Sequence, residues 1–179
     1  MLNLTLLKKN ESVKELSKTL GFTITLFDQD IVLIKADTKK ELLTKSKKAQ
    51  GMVILSKPST EELLRFALEK TPVNVVYGME FINPKDSVHF VRGGLDQVLC
   101  KIAASKGKII AFSFSDILHS TEKSKLLARM MFNIKLCTKY KVKMVFGSFA
   151  ITESELRSMN DLYSFWKVLG GMNKSCFDM

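Results

Sequence analysis

Histidine, the side chain most used for acid–base chemistry at neutral pH and for metal binding, occurs only twice in this sequence. His89 and His119 belong to no HxH, HExxH or HxxxH pattern, which would place two imidazoles on one metal ion. A GxSxG nucleophile elbow is also missing. His89 falls in an apolar predicted strand and His119 in a predicted loop, where each favours a structural role. The sequence therefore predicts no catalytic residue and no metal site.

The three cysteines, Cys100, Cys137 and Cys176, stand far apart and form no CxxC pair. This spacing fits neither a zinc ribbon nor a disulfide framework, so we expect buried or idle thiols in a reducing cytosol. The first seven residues lack the charged start and long apolar core of a signal peptide. No apolar run approaches the roughly 18 residues of a membrane span, so we expect no membrane association.

One short segment could bind phosphate through its backbone. Val91-Arg92-Gly93-Gly94 ends a predicted strand and opens a predicted helix, where amide groups can hold an anion. The segment lacks the GxxxxGK[ST] and GxGxxG spacings. A tight turn with Gly93 or Gly94 at positive φ fits equally well. Arg92 beside the helix start would suit an RNA phosphate in either case.

The charge balance favours a polyanionic partner. The chain has 28 Lys and Arg residues against 18 Asp and Glu residues, a formal net charge of +10. Such an excess fits nucleic acid first and an anionic membrane surface second, although a solvated lysine-rich surface has the same composition.

The predicted helix Glu122–Tyr140 gives this charge a geometry. At 100° per residue, its predicted core stripe consists of Leu127, Met130, Met131 and Ile134. The opposite side carries a basic arc of Lys125, Arg129, Lys135 and Lys139, which Lys141 and Lys143 continue. Phe132 and Leu136 lie between the cations. Phe132 could stack on a base, dock into a partner protein or pack against a neighbouring helix.

The elements that would carry these residues alternate between strand and helix. The candidate strands are Leu2–Leu7, Phe22–Phe27 with Ile31–Lys35, Met52–Leu55, Val73–Tyr77, Ser87–Val91, Lys108–Ser113 and Lys143–Ser148. Capping boxes start helices at Thr38 and Ser59, and apolar stripes define helices in 94–106 and 162–169. The pattern predicts an α/β fold, with residues 1–179 forming one irregular TIM-barrel-like domain of about seven largely parallel strands.

An ordered set of motifs over about residues 87–172 resembles the archaeal ribonuclease P protein component 3 family, which has a eukaryotic nuclear homologue. The matching stretches are Gly94–Ile102, Ala111–Ser113, Leu136–Val142, Gly147–Ala150, Glu155–Ser158, Asp161–Leu162 and Leu169–Met172. Each motif alone is unspecific, but their order and spacing are specific.

The resemblance implies a barrel related to the polymerase-and-histidinol-phosphatase (PHP) superfamily without that superfamily's metal cluster. It implies a heterodimer or heterotetramer with a small ferredoxin-like protein subunit, bound with other ribonuclease P proteins to the ribonuclease P RNA. That RNA removes the 5′ leader of precursor tRNA, so we expect Mg²⁺ on the RNA, no cofactor on the protein and a polypeptide that is itself non-catalytic. The expected compartment is the cytoplasm of an archaeon, or the nucleus of a eukaryote.

Three positions depart from the family pattern. Gln97 stands where the family often has His, Ser115 where it often has Arg, and Phe149 where it often has Gly. The missing arginine at Ser115 removes one expected RNA or partner contact. The chain also ends soon after Met172, without the longer C-terminal tail that we expect of some relatives.

The leading hypothesis is thus an RNA-binding scaffold of ribonuclease P. Its expected RNA or partner contacts are Arg92, Lys101, Lys125, Arg129, Phe132, Lys135, Lys139, Lys141 and Arg157. Asp96, Ser113, Ser148 and Asp161 are expected to hold turns and caps. The alternatives are a metal-dependent phosphoesterase of the PHP type, and a barrel that organises only protein partners.

Overall fold

The structure is a computed structural model that describes residues 2–49 and 51–171. Within these residues, seven parallel strands and seven α-helices alternate along the chain, except that β3 follows β2 and α6 follows α5 directly. The strands, numbered β1 to β7 in chain order, are Leu2–Leu4, Ile24–Leu26, Ile31–Ile34, Val53–Ser56, Val75–Tyr77, Ile109–Ser113 and Lys143–Gly147. The helices, α1 to α7, are Glu11–Thr19, Lys39–Lys48, Glu61–Lys70, Gln97–Ser105, Phe114–His119, Lys123–Lys139 and Met159–Val168. Short 3-10 helices cover Met79–Phe81 and Glu153–Glu155.

The strands follow one another around an incomplete barrel. Strands β3 to β7 form one parallel sheet in chain order, and β1 pairs with β2 in a second. Past the end of β7, Phe149 N donates to Leu4 O at 2.7 Å and Leu6 N donates to Ala150 O at 2.9 Å, which joins β7 to β1. Residues 27–30 connect β2 directly to β3. This arrangement confirms the predicted α/β, TIM-barrel-like fold class.

Alternation along the strands divides the apolar side chains between two cores. Ala111 of β6 points into an inner cluster, which the barrel strands and the segment after β7 fill. Its neighbours Ile110 and Phe112 point outward into a larger core beneath the helices. The inner cluster is formed by Leu4, Ile31, Leu55, Val75, Tyr77, Ala111, Val145 and Phe149. Because side chains of a strand alternate between its faces, each of β3 to β7 contributes to both layers.

The predicted helix starts are largely confirmed. The Thr38 side chain accepts from Glu41 N, and the Asp96 side chain accepts from Leu99 N at the start of α4. The predicted cap at Ser59 is wrong by one residue, because Thr60 accepts from Leu63 N and α3 begins at Glu61. Such caps satisfy amide groups that a helix leaves unpaired in its first turn.

The predicted strand Ser87–Val91 is wrong. Its residues form an irregular loop in which Val88 is 95% exposed and Phe90 is 59% exposed. Strand β5 pairs directly with β6, Val75 opposite Ile109, so no position remains between them for another strand. His89 is therefore an exposed loop residue and not part of a strand.

Two further expectations concern membranes and thiols. Within residues 2–49 and 51–171, no helix is both long enough and apolar enough to cross a bilayer. Cys100 and Cys137 are buried free thiols, as predicted. Cys176 and Met172 lie outside the described residues.

We predict that Trp166→Ala lowers the free energy of unfolding by about 3–5 kcal/mol, because it leaves a large cavity. Trp166 of α7 is fully buried, with its ring centre 5.7 Å from those of both Phe112 and Phe146. Chemical denaturation gives the value. Val168→Ala on the same helix is the control, since Val168 is 73% exposed and its loss should change stability by about 0.5 kcal/mol or less. Equal stability of the two variants would contradict the prediction.

Candidate nucleic-acid interface

Helix α6 presents a different face to the core from the one that the sequence predicts. Met130 and Ile134 are buried as expected, but Met131 is 48% exposed and Leu127 is half-buried. The buried face consists of Leu126, Arg129, Met130, Asn133, Ile134 and Cys137. The paired apolar residues at 126–127 and 130–131 allow either of two adjacent faces of the helix to be buried. The face that contains Arg129 and Asn133 is the buried one, because polar groups in a neighbouring loop bind these two side chains.

Arg129 was predicted to be exposed on the basic arc, and this prediction is wrong. Its side chain is only 4% exposed. Nη1 donates to the carbonyl oxygens of Glu80 and Asn83, both at 2.6 Å. Nε donates to Asp86 Oδ1 at 2.9 Å, and Nη2 lies 2.8 Å from the same oxygen as an ion pair without an aligned hydrogen bond. A guanidinium so enclosed holds the backbone of residues 80–86 against α6 and offers no free donor fork to RNA.

Lys125 and Asn133 fasten the same region. Lys125 Nζ donates to Pro84 O at 2.8 Å and also pairs with Glu122. Asn133 Nδ2 donates to Glu80 Oε1 at 3.0 Å and to Gly93 O at 2.7 Å. Asn133 therefore connects Glu80, in the 3-10 helix that precedes the segment 82–96, to Gly93 within that segment. We call the segment 82–96 the cleft loop.

The glycine pair in the cleft loop is a close-packed turn. Gly94 has φ +87, and a Cβ atom there would lie 2.2 Å from Met79 O. A Cβ on Gly93 would lie 2.4 Å from Asn133 Oδ1. The first turn of α4 is already capped by Asp96. These contacts favour the tight turn over the phosphate cradle, and the exposed Arg92 beside it remains available to a phosphate.

A cleft of about 500 Å³ lies between the cleft loop and α6. Arg92 and Phe132, two of the predicted contacts, both line it. Phe90 lines it as well, with its ring centre 5.8 Å from the Arg92 guanidinium. Gln97 and Leu136 form part of its wall. The cleft thus combines aromatic rings, which can stack on the bases of a single strand, with the guanidinium of Arg92. The carboxylates of Glu61 and Asp96 also line it, so the cations for a phosphate backbone must come mainly from the surface beside the cleft.

A second group of cations surrounds Tyr140, which the sequence interpretation missed. Lys101 Nζ and Lys139 Nζ lie 5.9 Å and 5.6 Å from the centre of its ring. The Tyr140 hydroxyl donates to Gln97 Oε1 at 3.3 Å, which connects this group to the cleft. A tyrosine between two lysines, Lys139 and Lys141, was the signal in the sequence that could have identified it.

Of the remaining predicted contacts, the lysines lie on the surface around Tyr140 and the end of α6, whereas Arg157 lies elsewhere. Lys135, Lys139, Lys141 and Lys143 are exposed, as the basic arc requires. In the described part of the chain, these four lysines form no ion pair with a carboxylate, and the same is true of Lys101 and Arg92. Arg157 is half-buried elsewhere: Nη1 donates to Ser154 O and Leu156 O, and its guanidinium lies 5.8 Å from the Phe114 ring.

The carboxyl ends of the strands are filled with the chain's own side chains. Phe149 occupies the left-handed region with φ 48, is 2% exposed and stacks on Tyr77 at 4.8 Å between ring centres. Ser113 caps α5, Ser148 Oγ donates to Leu4 O, and Asp161 accepts from Ser158, so the predicted cap and turn roles are confirmed.

Glu155 organises the same end of the barrel. Burial would raise the pKa of Glu155, but hydrogen bonds from Ile151 N, Ser115, His119 and Thr152 outweigh it and lower the pKa to about 2. Ser115 Oγ donates to this carboxylate at 2.8 Å, so the position where the family often has Arg is buried here. Within the described ranges, no three His, Cys, Asp or Glu side chains form a group that could hold a metal ion.

Comparisons with known proteins confirm the predicted resemblance. No family model matches the chain. It is 32% identical over 120 residues to ribonuclease P protein component 3 of Methanosarcina mazei, covering 66% of this chain and 47% of that protein. The protein of the same name from Methanocaldococcus jannaschii is 28% identical over 142 residues, covering 77% of this chain and 58% of that protein. The chain therefore spans about half the length of the curated relatives that it matches.

Solved structures support the fold. One chain in a cryo-EM structure of archaeal ribonuclease P with mature tRNA has a TM-score of 0.70 and 24% identity, covering 94% of this chain and 72% of that chain. A crystal structure of an amidohydrolase has a TM-score of 0.52 and 13% identity, covering 92% of this chain and 43% of that chain. At these identities, the likenesses establish a common barrel architecture.

We predict that Arg129→Ala lowers the free energy of unfolding by about 1.5–3 kcal/mol, because hydrogen bonds to a charged group are lost and two carbonyl oxygens lose their donor. Lys135→Ala, on the exposed side of the same helix, is the control and should change stability by about 0.5 kcal/mol or less. Chemical denaturation measures both. A neutral Arg129→Ala would mean that the guanidinium does not hold the cleft loop.

A second prediction concerns pH. Burial raises the pKa of Glu80 from 4.5 to about 7, and the hydrogen bond from Asn133 lowers it only in part. Between these values the folded chain binds more protons than the unfolded chain, so stability should fall as pH rises from about 4.5 to 7, by roughly 3 kcal/mol in total. Glu80→Gln, which cannot ionise, should not show this loss when unfolding is measured at pH 5 and pH 8. Exposed Glu153→Gln is the control, and a Glu80→Gln profile identical to wild type would contradict the prediction.

Proposed function

We propose that this chain is an archaeal-type protein component 3 of ribonuclease P, a subunit that binds and stabilises the catalytic RNA for removal of 5′ leaders from precursor tRNA. The observation that carries the proposal is the 32% identity over 120 residues to the Methanosarcina mazei protein of that name. Because the chain spans about half of that relative, the activity and partners of the whole protein are part of the proposal.

The described surface supports RNA as the partner. The expected contacts Lys101, Lys135, Lys139 and Lys141 are exposed, and Arg92 and Phe132 line the neighbouring cleft. Lysine and arginine side chains without carboxylate partners can neutralise phosphates and release counterions, which is the main source of affinity for nucleic acid. Lys125 and Arg129 contribute indirectly, because they hold the cleft loop that forms one wall of the cleft.

The proposal includes protein partners and magnesium. A small ferredoxin-like subunit and other ribonuclease P proteins would occupy further surface, and the exposed apolar side chains of Val88 and Met131 suit a protein contact. Any Mg²⁺ would belong to the RNA, and the polypeptide itself would be non-catalytic. No arrangement of side chains in the described ranges favours the alternative of a metal-dependent phosphoesterase.

We predict that replacing Lys101, Lys135 and Lys139 together with Ala weakens binding to ribonuclease P RNA, because phosphate contacts are lost. The slope of log affinity against log salt concentration should shrink by roughly one unit for each lost contact. Binding is measured by titration at several salt concentrations, and unfolding of the variant is measured alongside.

The matched control is the triple substitution of Lys40, Lys47 and Lys48 with Ala. These three lysines are exposed on α2. Removing them changes the net charge by the same amount as the first triple substitution. The control should keep most of the affinity. Equal losses in the two variants would mean that only net charge matters, and loss of partner-protein binding with unchanged RNA affinity would assign the surface to a protein.

A further inference from the structure

We propose that Tyr140, together with Lys101, Lys139 and Gln97, forms a stacking site for one unpaired nucleobase of RNA. This inference rests on the proposed function, because it specifies one contact of an RNA-binding surface. It adds that the chain distinguishes unpaired nucleotides from a continuous helix at this position.

The Tyr140 ring is held in a fixed orientation. Tyr140 ends α6, and its backbone N–H donates to the carbonyl oxygens of Leu136 and Thr138. The half-buried ring packs against the larger core beneath the helices, while its hydroxyl donates to Gln97 Oε1 at the start of α4. A ring fixed by two helices loses little conformational freedom when a base stacks on it, which favours binding.

The cations around the ring are placed for a phosphate backbone. Lys101 Nζ and Lys139 Nζ lie within 6 Å of the ring centre, at distances typical of weak cation–π contacts. In the described part of the chain, neither ammonium group has a carboxylate partner. Lysine stems are long and flexible, so both groups can turn outward to the phosphates on either side of a stacked base.

Gln97 supplies a group that can contact the edge of the base. Its Oε1 atom accepts from the Tyr140 hydroxyl. This leaves its amide N–H groups, and a second lone pair on Oε1, to hydrogen-bond with a base edge. Ring, cations and amide together match the way proteins hold splayed-out bases in RNA loops and bulges. A fully paired A-form helix does not expose the face of a base, so this site should select unpaired nucleotides.

The site also continues into a path for further nucleotides. Gln97 and Leu136, which contact Tyr140, line the cleft of about 500 Å³ that contains Phe132 and Arg92. A single strand leaving the Tyr140 ring therefore meets a further aromatic side chain, Phe132, and a further cation, Arg92.

The test uses the full chain with two probes, a short oligoadenylate and a blunt RNA duplex of the same length. Tyr140→Leu keeps apolar volume but removes the aromatic face, so it should weaken oligoadenylate binding roughly 5- to 150-fold, with duplex binding unchanged. Tyr140→Phe keeps the aromatic face and loses only the hydrogen bond from the hydroxyl to Gln97, so its affinity should stay much closer to wild type than that of Tyr140→Leu. The salt slope should be unchanged in Tyr140→Leu and smaller in Lys101→Ala and Lys139→Ala, because stacking releases no counterions.

Tyr163→Leu is the matched control. Tyr163 is a half-buried tyrosine on α7 with Lys167 Nζ 4.5 Å from its ring centre, so it repeats the tyrosine–lysine pairing on another face. It should keep wild-type affinity for both probes. Thermal melting of each variant verifies that the fold is retained.

Three results would overturn the inference. They are equal oligoadenylate affinity of Tyr140→Leu and Tyr140→Phe, an equal loss in Tyr163→Leu, or loss of partner-protein binding in Tyr140→Leu with RNA affinity unchanged. In each case, wild-type binding to ribonuclease P RNA would leave the proposed function standing. If the wild-type chain bound neither ribonuclease P RNA nor oligoadenylate, the proposed function itself would fail.

Discussion

The buried guanidinium of Arg129 is the constraint on which the proposed RNA surface depends. Removing an arginine from water costs several kcal/mol unless its donors find partners. Here those partners are Glu80 O, Asn83 O and Asp86, all in the connection between β5 and α4. That connection cannot move away from α6 without breaking these hydrogen bonds and the ion pair with Asp86. The wall of the cleft is therefore held by polar contacts with α6 as well as by the apolar packing of Leu95 and Ile82.

Much of the fold could be predicted because its signals are local. Continuous apolar runs such as Val53-Ile54-Leu55 identify strands with both faces covered, and caps such as Thr38 identify helix starts. The strand predicted at 87–91 failed because pairing of β5 with β6 is decided by residues distant in sequence. The order of the C-terminal motifs correctly indicated the relatives, which no single motif could do.

The candidate site was less predictable, and α6 shows why. The residue pairs 126–127 and 130–131 leave the orientation of the helix open within one residue, about 100° of rotation. Glu80, Asn83 and Gly93 resolve it by binding Arg129 and Asn133, and none of them is near α6 in sequence. The exposed lysines could be predicted because they lie far from the edge between the buried and exposed faces of α6, so a rotation of the helix by one residue leaves them exposed. Tyr140 was missed because its contact with Gln97 joins two helices.

Phe149 limits the kind of ligand that this barrel can bind, because its side chain fills the carboxyl end of the strands. A non-glycine residue in the left-handed region carries a strain of about 1–3 kcal/mol, which its burial against Tyr77 offsets. Barrels that act on metabolites keep the carboxyl ends of their strands open, whereas here a ring of the chain itself closes that end. Under the proposed function, RNA would instead bind on the outer side of the barrel, at α6 and the cleft beside it. An outer surface of this kind suits a long polymer that is contacted at many points better than a small molecule that must be enclosed on all sides.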